Sequence, residues 1–132
     1  MHGGCCFCGE LRFELATDPT FACHCHCASC QKSAGAGFVT WVTFPAEAFA
    51  LTSGTLVEHH SSAVVTRGHC AACATSITYM HQDRAADIDV TAACLDDAAI
   101  VVPKAHIWLE DKAPWIEIND ALPKYKQRVT SL

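Results

Sequence analysis

Polar and apolar positions along this chain mostly alternate. Residues 10–15 (Glu-Leu-Arg-Phe-Glu-Leu) place an apolar side chain at every second position, the period of a strand with one buried face. Residues 38–44 are β-branched or aromatic throughout and run into Pro45, which cannot donate to a ladder. The same criteria predict strands over 55–59, after a Ser53-Gly54 turn, and over 63–67, 76–81, 87–94 and 105–109. Helical periodicity is scarce: single turns are expected at 30–34 and 45–49. No repeat, low-complexity tract or linker divides the chain, so one mostly β domain over 1–132 is expected. Residues 112–125, with Pro114, Trp115 and Pro123, read as ordered but irregular, their aromatics covering the core.

Composition narrows the class. A length of 132 residues with 51% hydrophobic content supports a modest core of its own. No run approaches the roughly 18 consecutive apolar residues of a membrane span. Met1-His-Gly-Gly leads straight into cysteines without a basic-then-apolar leader, so a cytoplasmic location is expected. The formal net charge is −5 and no basic stripe occurs, which argues against a nucleic-acid partner.

The ten cysteines change the picture most. A secreted disulfide framework fits poorly, because the cysteines cluster at spacings of one or two residues. Such neighbours bridge one another only with strain, whereas they converge readily on a metal ion. Cys6-x-Cys8 and Cys70-x-x-Cys73 are two halves of a tetrahedral four-thiolate site, closed and therefore structural. A redox-active Cys70/Cys73 pair is the rival reading, but that motif usually opens a helix and here lies between two strand patterns. Cys5, beside Cys6, is read as a packed thiol.

Residues 21–30 carry four cysteines and two histidines. If 23–27 is extended, Cys23, Cys25 and Cys27 share one side and His24 and His26 the other. Cys23 and Cys27 then stand too far apart for one ion, whereas a bend at Ala28-Ser29 returns Cys30 towards Cys25 and Cys27. The best local set, Cys25-x-Cys27-x-x-Cys30, has three members. Three protein ligands with a vacant fourth position is the arrangement of catalytic zinc. Completion of the shell by Cys23, His24 or His26 would close the site instead. Near it, His24, His26, Gln31, Lys32 and Ser33 are candidate contributors, and His106 and Trp108 candidate pocket residues. Lys32, Arg67 and Lys104 are read as solvated charges able to meet a substrate carboxylate.

Several pieces together resemble the glutathione-dependent formaldehyde-activating enzyme family, which is also represented in the zinc domain of centromere protein V. They are Gly4-Cys-Cys-Phe-Cys-Gly9, His24-Cys-His-Cys-Ala-Ser-Cys30-Gln-Lys32, Cys70-Ala-Ala-Cys73, Leu95-Asp-Asp97, Ala105-His-Ile-Trp108, Pro114-Trp115 and Leu122-Pro-Lys-Tyr125. The resemblance implies a mainly β fold, the β-tent of small antiparallel sheets stapled by zinc, shared with Rab-binding zinc chaperones and methionine-R-sulfoxide reductases. It implies structural zinc at Cys6, Cys8, Cys70 and Cys73, and catalytic-type zinc at Cys25, Cys27 and Cys30. The activity it implies is a carbon–sulfur lyase reaction, joining the small thiol glutathione with the aldehyde formaldehyde as S-(hydroxymethyl)glutathione, or the reverse. Ala74 and Cys94 stand where members often have glycine. Two rivals accompany this reading: a non-catalytic zinc module binding a protein partner, and a sulfoxide reductase using Cys94 or Cys23, both expected to be buried.

Overall fold

Strand pairing converts the alternation into two sheets. The computed structural model describes residues 1–129. In chain order the elements are β1 (His2–Cys5), β2 (Arg12–Leu15), β3 (Phe21–Cys25), α1 (Ala28–Ala34), β4 (Val39–Pro45), β5 (Phe49–Ser53), β6 (Leu56–His60), β7 (Val65–Cys70), β8 (Ser76–His81), β9 (Asp87–Thr91) and β10 (His106–Ile107). A three-stranded sheet runs β1-β2-β5 and a seven-stranded sheet runs β10-β3-β4-β9-β8-β7-β6. All pairs are antiparallel except β10 on β3. The fold is mainly β, as the pattern predicts, although the larger sheet is wider than expected and mixed.

β4 explains the layout because both of its faces are buried. Val42 and Phe44 point into a core with Leu11, Phe13, Leu15, Ile77, Ile88 and Val90, between the two sheets. Phe13 stacks on Phe49 with ring centroids 5.3 Å apart. Val39 and Trp41 point the other way, into a second cluster with Cys25 and Cys30. Since side chains alternate, the register carries that second face across the sheet. Cys23 pairs with Trp41, Phe21 with Thr43, Thr43 with Asp89, Asp89 with Tyr79, and Tyr79 with Arg67. One face therefore collects two cysteines, Cys23 and Cys25, three aromatics, a carboxylate and a guanidinium.

Several expectations need correction. β1, β3 and β5 are absent from the sequence-based assignment, because β1 is Gly-rich and the other two lack clean alternation. The strand expected over 87–94 stops at Thr91, and Ala92–Cys94 forms a 3-10 turn. The one expected over 105–109 shrinks to His106–Ile107, because Trp108 turns into the left-handed region (φ 58°). Residues 112–125 are irregular as expected, but Trp115 is 73% exposed and covers no core. Among the described residues, no helix is long and apolar enough to cross a membrane.

Two backbone positions are tightly specified. A Cβ on Gly4 would lie 2.4 Å from the Cys94 carbonyl and from the Phe13 ring, so β1 docks on the end of the β9 segment only with glycine there. Ala74 closes the turn after Cys73 with φ 64°, its N–H donating to the Cys70 carbonyl at 2.9 Å. An L-residue with a Cβ is strained in that region by about 1–2 kcal/mol. Part of that is returned as greater chain entropy when glycine unfolds. Ala74→Gly is therefore expected to stabilise the fold by about 0.5–1 kcal/mol, read as a higher Tm in calorimetry. An unchanged or lower Tm would refute the strain.

Candidate metal centre

Two turns build the four-sulfur cluster. The segment after β1 carries Cys6 and Cys8, and the β7–β8 turn carries Cys70 and Cys73; their sulfurs all lie within 4.8 Å of one another. Four sulfurs about 2.3 Å from a tetrahedral ion stand about 3.8 Å apart. The Cys6–Cys8 and Cys8–Cys70 separations are 3.4 and 3.9 Å, close to that spacing. Backbone N–H groups already face the sulfurs: Leu11 donates to Cys6 Sγ at 3.3 Å and Ala72 to Cys70 Sγ at 3.4 Å. The Cys73 thiol is pushed down to about 5, chiefly by its contact with the Thr75 hydroxyl at 3.0 Å. The donor set and its spacing fit a closed metal site. Cys5 is outside it.

The three-sulfur cluster forms where β3 meets α1. Cys25 ends the strand. Cys27 is the N-cap of the helix, its Sγ accepting the Cys30 N–H at 3.2 Å as a serine or aspartate oxygen would. Three residues on, Cys30 therefore faces back, and all three sulfurs lie within 4.8 Å of one another. Gly35 stops the helix in the left-handed conformation. Gln31 fixes the loop from behind, its Nε2 donating to the His26 carbonyl at 2.7 Å and the Asp111 carbonyl at 2.9 Å. The donor set fits a divalent ion with one position left over.

That cluster lines a cavity of about 390 Å³. Its walls include Trp41, Tyr79, Arg84, Asp89 and Trp108, and Arg128 from the C-terminal segment. Arg84 donates to Asp89 at 2.7 Å, and the Thr43 hydroxyl donates to the same carboxylate at 2.6 Å. Arg128 lies outside the ion pairs of the described residues. Burial raises the Tyr79 hydroxyl, so the ring stays a neutral donor. Among the sulfurs, Cys30 is pushed down to about 2 by hydrogen bonds from Cys25 and then Cys27, with Arg67 adding to it. Cys25 is pushed up by the same contacts, with Cys27 first.

The histidines occupy the opposite face of β3. His106 Nε2 lies 2.8 Å from the Asp120 carboxylate, and His106 Nδ1 lies 2.9 Å from His26 Nε2. A carboxylate only accepts, so His106 Nε2 donates to it and its Nδ1 accepts from His26. His26 Nδ1 is then a buried acceptor without a partner among the described residues. Burial, then His106, lowers the His26 ring to about 4. His24 bonds Thr40 at 2.8 Å and, with Ser33, lines a larger apolar hollow of about 900 Å³ that excludes the sulfur trio.

Of the expected contributors, Trp108 and the three cysteines meet in the cavity. His24, His26, Gln31, Ser33 and His106 do not line it. Arg67, expected as a solvated charge, is only 5% exposed. Cys23 is buried and pushed up to about 12 by burial, and Cys94, half-buried, is also raised by burial. Both shifts disfavour the thiolate a reductase would need. The sequence reading missed Trp41, Tyr79, Arg84, Asp89 and Arg128. Strand register was the missing signal for Trp41, Tyr79 and Asp89, whereas Arg84 sits in the 3-10 turn between β8 and β9.

Cys27→Ser is expected to remove one of two bound ions per chain while leaving the near-ultraviolet circular dichroism intact. Cys70→Ser is expected to abolish cooperative unfolding, since it opens the cluster that pins the two turns together. Metal analysis alongside thermal unfolding checks both; equal effects of the two changes would refute the division.

Comparison with solved structures finds a crystal structure of a Rhodobacter sphaeroides protein, a structural-genomics target. It is 19% identical to this chain, with a TM-score of 0.60 over 71% of this chain and 87% of its own, a likeness of fold alone. No curated protein matches the sequence. A family profile does, over residues 1–111, and its coverage includes every cysteine of both clusters. On that match, the chain belongs to the glutathione-dependent formaldehyde-activating enzyme family.

Proposed function

We propose that residues 1–132 act as one zinc-binding domain with carbon–sulfur lyase activity, joining formaldehyde to glutathione as S-(hydroxymethyl)glutathione or reversing that reaction. Family membership supports a glutathione- and formaldehyde-related activity. The observation that carries the finer reading is the three-sulfur cluster opening on a cavity, with no fourth sulfur, imidazole or carboxylate in the cluster among the described residues. The binding-module alternative would require a closed second site.

In this reading Cys6, Cys8, Cys70 and Cys73 hold a structural zinc, and Cys25, Cys27 and Cys30 a catalytic one. The second zinc, when bound, supplies a Lewis-acid position that keeps a substrate sulfur in its thiolate form. The chain's own residues do the rest. Trp41 and Trp108 wall the cavity with apolar surface and exclude water from the adduct. Tyr79, held neutral, is assigned the hydrogen bond to the aldehyde oxygen, which gains negative charge as the carbon–sulfur bond forms and takes up a proton. Arg128, a guanidinium outside the ion pairs among the described residues, is assigned a glutathione carboxylate, and Arg84 keeps its place through Asp89. A cytoplasmic location is part of the proposal.

The zinc-loaded protein is expected to accelerate hydroxymethyl transfer between labelled formaldehyde and glutathione, followed by carbon NMR. Cys27→Ser should reduce the rate to the uncatalysed background; an unchanged rate removes the assignment. Arg128→Ala should raise KM for glutathione about tenfold, as loss of one charge-assisted hydrogen bond does, and leave 2-mercaptoethanol unaffected. Equal effects on both thiols would refute the carboxylate role.

A further inference from the structure

Arg67 is an anomaly by the ordinary rules of charge burial. It sits on β7, on the cavity face of the large sheet, and is 5% exposed. Its Nε donates to the Ser61 hydroxyl at 3.2 Å, and its guanidinium carbon lies 5.0 Å from the Tyr79 ring centre. Among the described residues it forms no ion pair with a carboxylate. The other arginines with close partners behave differently: Arg12 meets Asp96 at 2.8 Å and Arg84 meets Asp89 at 2.7 Å. A buried guanidinium without a counter-charge is strongly unfavourable, so the counter-charge must be something other than a carboxylate.

The contact that supplies it is Arg67 Nη2 to Cys30 Sγ, at 3.6 Å. Three thiolates around a divalent ion carry one net negative charge, and Arg67 carries one positive charge. The pair is neutral together. This matters for the vacant position. A bare three-thiolate site repels an anionic fourth ligand, because its arrival would concentrate a second negative charge in a low-dielectric cavity. With Arg67 beside Cys30, the same arrival leaves only one. The N–H···S contact also draws electron density from the Cys30 sulfur, which leaves the ion a stronger acceptor for another sulfur.

We propose that Arg67 is a positioning residue, the built-in counter-ion of the Cys25/Cys27/Cys30 site, and that it sets the site's preference for an anionic sulfur ligand over a neutral one. The inference rests on the reading that this trio holds a divalent metal, and it adds the class of ligand the vacant position takes. Arg67 acts through Cys30 and lies outside the cavity lining. It assists without touching substrate.

The test uses the full chain loaded with cobalt(II) and reads the sulfur-to-cobalt charge-transfer absorption, which grows as each further thiolate binds. 2-Mercaptoethanol is the anionic probe and imidazole the neutral one. Arg67→Met is expected to weaken 2-mercaptoethanol binding about tenfold or more while imidazole stays within about twofold. Arg67→Lys, which keeps the charge and loses the fork, should hold the thiol within about threefold of the wild type. Equal weakening of both ligands by Arg67→Met would mean a structural role and overturn the proposal, as would an unchanged thiol affinity. If the methionine variant loads only the four-sulfur site, the lysine variant decides: thiol binding retained supports the proposal, and thiol binding lost overturns it. Failure of both variants to load the second ion also overturns it, since the retained charge should suffice. A wild-type protein whose spectrum ignores 2-mercaptoethanol would instead sink the functional reading of the site.

Discussion

The convergence of four sulfurs from turns some sixty residues apart is the constraint on which the rest of the fold hangs. Thiolates brought that close repel one another unless a cation lies among them, and thiols that close offer only weak hydrogen bonds in exchange. The core beside them is small. Cys6 and Cys70 belong to the same apolar cluster as Leu11, Phe13 and Ile77, so the cluster is both a metal-binding geometry and part of the packing. It fixes the segment after β1 against the β7–β8 turn. That junction in turn holds the three-stranded sheet over the seven-stranded one.

From there, the two-sided burial of β4 divides the labour. Its even-numbered residues, Val42 and Phe44, pack the core, while its odd-numbered residues, Val39, Trp41 and Thr43, face the cavity side. Because β3, β9, β8 and β7 are in register with it, one face of a single sheet presents sulfur, carboxylate, phenol and guanidinium in a row. The sheet supplies these groups directly, while Cys27 and Cys30 join Cys25 from the N-cap and first turn of α1.

Much of this was legible in the residues, and the limits were physical. The alternation at β2, the β-branched and aromatic run at β4 and the pattern over 76–81 for β8 gave strands near their observed bounds, and the one- and two-residue cysteine spacings gave both clusters. The extended geometry considered for 23–27, though no strand was assigned there, puts cysteines and histidines on opposite sides as β3 does, because the two-residue period is a local property. What escaped was non-local. Trp41, Asp89, Tyr79 and Arg67 become neighbours only through register, and no spacing within one strand encodes it. Arg67 reads as a solvated charge at the end of the strand expected over 63–67, and its burial follows from the register that sets it beside Cys30, thirty-seven residues away in sequence. The left-handed turn at Trp108 cut short a well-patterned strand, an override that propensity does not foresee.

That turn has an architectural result. After Trp108 the chain doubles back: the amide of Trp108 donates to the Gln127 carbonyl at 2.9 Å and that of Leu109 to the Tyr125 carbonyl at 3.1 Å. The returning stretch delivers Arg128 and Val129 to the cavity rim, beyond the 1–111 span of the family match. Sulfur chemistry and rim composition are thus written in separate, consecutive parts of the gene product. Drift in this stretch can retune what enters without disturbing the cysteines, a modularity that lets one scaffold vary the charge and shape of its entrance.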